Sequence, residues 1–156
     1  MIIEPRTAAV LSAYADTLIP GNADWPTASS IGVLDYAEQA VTRSNSVKAS
    51  VLFTLSEADA QAGRLRQVSF AELDESERVG ILKAIEQQHP LHFGAVKEIV
   101  YEAYYTSAPV RIAIEGRTGF RPRAALDGIG AATFDDVLMK LADVAERPKR
   151  VRDVPK

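Results

Sequence analysis

A chain of 156 residues, 47% hydrophobic and 25% charged, suits one soluble domain with a substantial core. Its net charge of −3 is unevenly divided: from Arg147 onward five basic residues face only Asp153, leaving the tail at +4 and the rest at −7, an acidic body that does not suit nucleic acid. The absence of cysteine excludes disulfides, thiolate catalysis and thiolate metal sites.

Ala8, Leu11, Tyr14, Ala15 and Leu18 recur at helical spacing and predict an amphipathic helix over about residues 6 to 18, ended by Pro20-Gly21-Asn22. A turn-rich stretch to Ser29 follows and holds the only tryptophan, Trp25, directly before Pro26. Ser30 is a candidate cap for a second helix that buries Leu34, Ala37 and Val41. Asn45 or Ser46 suits the start of a third, striped by Val47, Val51, Leu55, Ala58 and Ala62, with Gly63 at its end. Asp74 and Glu77 resemble a capping box for a fourth helix, which Val79, Leu82 and Ile85 carry to His89-Pro90.

The fifth helix, from about Leu91 to Tyr105, turns Phe93, Val96, Val100, Ala103 and Tyr104 inward. Three of the five tyrosines, Tyr101, Tyr104 and Tyr105, crowd its end, and Ser107-Ala108-Pro109 stops it. These rings suit a core, and they equally suit an interface, where an apolar ring can keep a wet hydroxyl. A long Gly-rich loop is predicted next, with Val110 to Ile114 as the best strand candidate in the chain. Thr133 and Asp136 open a last helix built on Phe134, Val137, Leu138, Leu141 and Ala145, and Pro148 stops it. The expected fold is all-α: a single domain of about six amphipathic helices over residues 1–146, with a long Gly-rich loop before the last helix and a basic tail over 147–156.

Catalytic chemistry has few places to sit. The only histidines, His89 and His92, follow Glu86 at metal-ligand spacing, which leaves open a free-standing helical metal-binding protein or enzyme using Glu86, His89 and His92. Yet a dinuclear carboxylate site needs a second Glu-x-x-His pair, and Pro90 falls between the two histidines. There is no Gly-x-Ser-x-Gly elbow, no Gly-x-Gly-x-x-Gly and no phosphate loop. No cofactor site, catalytic set or metal site is read in this chain. No apolar run approaches a bilayer span, and no basic stretch leads into an apolar one at the N-terminus, so the expectation is a cytoplasmic protein.

Several of these stretches together resemble one family. Ala15-Asp16-Thr17-Leu18-Ile19-Pro20, Gly32-Val33-Leu34-Asp35-Tyr36, Phe70-Ala71-Glu72-Leu73 and Tyr104-Tyr105-Thr106-Ser107 stand in the order and spacing of the gluconate 2-dehydrogenase subunit 3 family. These are the small subunits of bacterial FAD-dependent sugar and polyol dehydrogenases. The sequence departs from the pattern at Ala108, which intervenes before Pro109, and it shows none of the twin-arginine signal that many members use to carry a folded partner across a membrane. The resemblance implies a non-catalytic small subunit without a flavin of its own. Its partner would be a large glucose-methanol-choline-type subunit that holds FAD and oxidises a sugar, a glycoside or a sugar acid. The candidate anchors for that partner are Tyr104, Tyr105, Pro109 and Phe120; a self-associating structural protein is a third possibility.

Overall fold

Serines and prolines punctuate the chain, and each break falls where a helix loses its backbone partners. The computed structural model describes residues 3–119. Six helices succeed one another: α1 (Pro5–Leu18), α2 (Val33–Arg43), α3 (Asn45–Arg66), α4 (Glu75–Gln88), α5 (Pro90–Thr106) and α6 (Ala108–Thr118). No strand occurs among the described residues. Pro5, Pro90 and Pro109 each sit in a first turn, where the missing N–H costs nothing. Ser44 caps α3 by accepting the Val47 N–H at 3.3 Å, and Asp74 caps α4 by accepting the Glu77 N–H at 2.9 Å.

The 22-residue α3 is the central element, with α1, α2, α4 and α5 all packed against it. The periodicity of the sequence is reproduced inside: Val51, Leu55, Ala58 and Ala62 of α3 are buried, as are Phe93, Val96, Val100, Ala103 and Tyr104 of α5. Tyr14 of α1 tilts against Phe93 with ring centroids 5.9 Å apart. Its hydroxyl has no hydrogen-bond partner among the described residues, and burial pushes its pKa far above the usual tyrosine range, so it stays neutral.

Several sequence expectations need correction. The segment after Pro109 is not loop or strand: Val110 to Thr118 belongs to α6. The alternation of Val110, Ile112 and Ile114 imitates a strand, but Val110 and Ile114 lie one helical turn apart and turn inward while Ile112 is 70% exposed. Ser107 closes α5 and also stands before α6, so the proline that stops one helix starts the next. The second helix is entered through Gly32, in a left-handed conformation with φ +86°, after a short 3-10 turn at Ser29–Ile31, not from Ser30. α3 passes through Gly63 to Arg66 and ends on Gln67 at φ +59°. The reciprocal capping box is Ser69 with Glu72; the Glu77 carboxylate is engaged with Arg66 instead. The expected last helix over 133–145, the remainder of the Gly-rich loop, the tail and Phe120 lie outside the described residues.

One polar hub ties the α1, α3 and Phe70 elements together. The Asp59 carboxylate accepts the Phe70 N–H at 2.9 Å, the Ser69 hydroxyl at 2.7 Å and the Arg6 guanidinium at 2.6 Å. Partial burial pushes its pKa upward, but these three donors outweigh that and hold it below the usual aspartate value. A depressed folded pKa contributes stability that is complete above the unfolded value of about 3.9 and is lost as pH falls through the folded one. Asp59→Asn should therefore cost about 1–2 kcal/mol at neutral pH. The gap between variant and parent should shrink below about pH 4, measured as urea stability against pH; a gap independent of pH would contradict this role.

Candidate functional site

The turn after α1 and the tyrosine-rich end of α5, more than seventy residues apart in sequence, meet in space. Leu18 and Ile19, at the end of α1, lead into Pro20 and Gly21, and these four residues form one wall of a groove of about 380 Å³. Asn22, Trp25, Tyr101, Tyr104 and Tyr105 complete it. The sequence stretch ending at Pro20 and the one beginning at Tyr104 thus both contribute to a single concave surface.

Local chemistry fixes the turn. Gly21 has φ +70°, and a Cβ there would come within 2.8 Å of the Thr27 nitrogen and the Trp25 carbonyl oxygen, both rigid backbone atoms. The Asn22 side-chain oxygen accepts the N–H groups of Asp24 and Trp25 at 2.9 and 3.1 Å, an Asx turn that folds the chain back on itself. Asp16, on the last turn of α1, accepts the Ser29 N–H and hydroxyl at 2.8 and 2.7 Å and closes the loop from its far end. The Asp16 of the sequence motif therefore anchors the turn.

Trp25 is half-buried and held from α6. The Arg117 guanidinium lies 5.3 Å from its ring centroid and pairs with Asp24 at 2.6 Å. Tyr104 forms the floor. It is 4% exposed, and its hydroxyl donates to the Pro26 carbonyl at 3.0 Å. Burial first, and then the neighbouring Tyr105, raise its pKa above the ordinary value. Tyr105 stands edge-on to Tyr104 with ring centroids 5.4 Å apart, and it stands 6.3 Å from Tyr101. It is 58% exposed, and Tyr101 is 39% exposed.

Of the four expected anchors, then, Tyr105 and Pro109 are on the surface, Tyr104 is in the core, and Phe120 lies outside the described residues. Tyr104 lies beneath the groove and holds the turn through its bond to the Pro26 carbonyl. Sequence reasoning missed Trp25 and Asn22 as parts of this groove, and it left Tyr101 open between core and interface. The tryptophan carried a signal, being the only one in the chain and placed in a turn.

The metal reading is not supported by geometry. The His89 and His92 rings both pack on Phe53, at 4.9 and 4.6 Å, and His92 Nδ1 shares a hydrogen bond with Ser50 at 3.1 Å. Glu86 pairs instead with Lys97 at 3.6 Å. Among the described residues no three histidine or carboxylate side chains are grouped to hold a metal ion. No helix among them is long and apolar enough to cross a membrane.

A family model described as Gluconate 2-dehydrogenase subunit 3 matches residues 5–120, a span that takes in α1 through α6 and both walls of the groove. No curated protein and no solved structure matches the chain.

Proposed function

Starting from a chain that belongs to the gluconate 2-dehydrogenase subunit 3 family, we propose that it is the non-catalytic small subunit of a dehydrogenase complex. Its role in this reading is to bind and stabilise a large FAD-holding subunit, of the glucose-methanol-choline type, that oxidises a sugar or glycoside. The hydride chemistry, the flavin and the histidine base then belong to that partner.

The observation that carries the reading is the surface at the end of α5. Tyr105 is 58% exposed and Tyr101 is partly exposed, at 39%, beside a concave, apolar groove, and Ile112 on the adjoining α6 is 70% exposed. Large aromatics are favoured as interface anchors, because they bury much area while ordering few torsions. Exposed together they are costly to a free chain, and a partner removes that cost. The histidines and carboxylates of the described residues, by contrast, are engaged in structural pairs or dispersed over helix surfaces, so nothing in the groove supplies a base or a nucleophile.

Co-expression with a candidate flavoprotein subunit tests the proposal. The expected result is a complex of constant stoichiometry whose visible flavin absorbance travels with the tagged small subunit, and a lower yield of soluble flavoprotein when the small subunit is omitted. Separation of the two chains during purification, with the flavoprotein equally stable alone, would remove the basis for the reading.

A further inference from the structure

The two ends of α6 are held differently. Its first turn is anchored in the core: Val110 is buried, and Ile114, one turn on, packs against the same cluster. From Glu115 to Gly119 every residue is exposed. Gly116 inside the helix and Gly119 at its cap bracket Arg117. A Cβ added to Gly116 would meet no atom within 4 Å, so packing within the described residues does not call for glycine there. Glycine inside a helix makes the helical conformation easier to lose.

Arg117 ties this turn back to the body. Its guanidinium pairs with Asp24 at 2.6 Å and lies over the Trp25 ring, 5.3 Å from the centroid. It therefore joins α6 to the turn that supplies one wall of the groove. The Arg117 and Asp24 side chains are 47% and 60% exposed. An ion pair so open to water is weak and is screened by salt, and a cation over a partly wet ring adds a comparable amount. Contacts of this strength shift an equilibrium between two states about fivefold, which leaves the open state populated.

We infer that Arg117 is an electrostatic latch. Closed, it joins the last turn of α6 to the Trp25 turn and presents the groove and the Ile112-bearing helix as one preorganised surface. Raised ionic strength opens it and uncovers Trp25. Binding of the large subunit is then tuned by salt through the shape of this chain, because a surface already in its bound conformation loses less freedom on docking. The inference rests on the accessory-subunit reading for what docks there, and on the Arg117 contacts alone for the latch.

Trp25 is the only tryptophan in the chain, so its quenching by acrylamide, an uncharged probe, reports the latch in the free protein. Quenching should rise from about 0.1 to 1 M sodium chloride, as the Debye length falls from about 10 to 3 Å. Arg117→Gln should be quenched strongly at every salt concentration, Asp24→Asn should move the same way, and Gly116→Ala, which firms the helix, should be quenched less than the parent. Arg64→Gln, which breaks the ion pair with Glu57 on α3, is the control and should match the parent. With the flavoprotein subunit, Arg117→Gln and Asp24→Asn should each weaken binding about fivefold at low salt.

Quenching that ignores both salt and Arg117→Gln overturns the latch. So does an Asp24→Asn chain that binds the flavoprotein at least as tightly as the parent while Arg117→Gln binds weakly, since that pattern assigns Arg117 to direct contact with the partner. A complex with unchanged affinity in both variants keeps the accessory-subunit reading and overturns the latch. A salt-sensitive latch in a chain that binds no flavoprotein upholds the latch and overturns that reading.

Discussion

Tyr105→Ala should weaken binding of the large subunit about thirtyfold, the equivalent of about 2 kcal/mol for a true anchor. The free chain should melt only a few degrees lower. Tyr105 is 58% exposed and contributes to the fold mainly through edge contacts with Tyr101 and Tyr104. Aromatic pairs of this kind are worth about 0.5–1 kcal/mol each, so losing both should lower the melting temperature by about 3–6 °C. Tyr104→Phe is the matched control: it removes the bond to the Pro26 carbonyl, beneath the surface, and should affect melting before affinity. Isothermal titration and calorimetry on the same preparations separate the two roles. A Tyr105→Ala chain that retains full affinity would take the anchor away from this residue, whatever its melting curve.

Gly21→Ala should have the largest effect of any glycine-to-alanine change among the described residues. The left-handed backbone alone costs a non-glycine residue on the order of 1–3 kcal/mol, and here the Cβ also meets three backbone atoms within 2.9 Å. The turn must open for it to fit. Opening moves Trp25 away from Arg117, breaks the Asx turn and disturbs the Tyr104 bond to Pro26. A loss of about 3 kcal/mol, or on the order of 10 °C, is expected, together with a change in Trp25 emission. Gly63→Ala provides the contrast. That glycine lies within α3 with no atom near its virtual Cβ, so alanine should stabilise by about 0.5–1 kcal/mol. Equal melting of Gly21→Ala and the parent would mean that the turn is not held as tightly as its geometry implies.

Helical periodicity made the core legible. Phe93, Val96, Val100, Ala103 and Tyr104 are spaced so that only a helix can bury them together, and all five are buried. Boundaries were less legible, because several caps compete within one or two residues: Ser44 won over Asn45 and Ser46, and Ser69 with Glu72 formed the box attributed to Asp74 with Glu77. α6 was misread because a short helix of β-branched residues at alternate positions has the pattern of a strand, and only the proline in its first turn argued otherwise. The two walls of the groove were each recognised locally, as a turn and as an aromatic helix end. Their meeting was not, because a contact between Tyr104 and Pro26, or between Arg117 and Trp25, leaves no trace at short range in the chain. The same holds for Asp59, whose three partners come from two other segments.

Hydrogen–deuterium exchange of the small subunit, alone and in complex with the flavoprotein, tests the central claim most directly. Amide exchange reports which backbone segments lose solvent access or local opening when a partner binds. The account predicts new protection concentrated at 18–25, at the end of α5 from Tyr101 to Thr106 and along α6, with little change over the α3 segment from Leu52 to Ala60. Protection confined to α3 and α4, with the turn and the tyrosine-rich helix end exchanging as in the free chain, would contradict it.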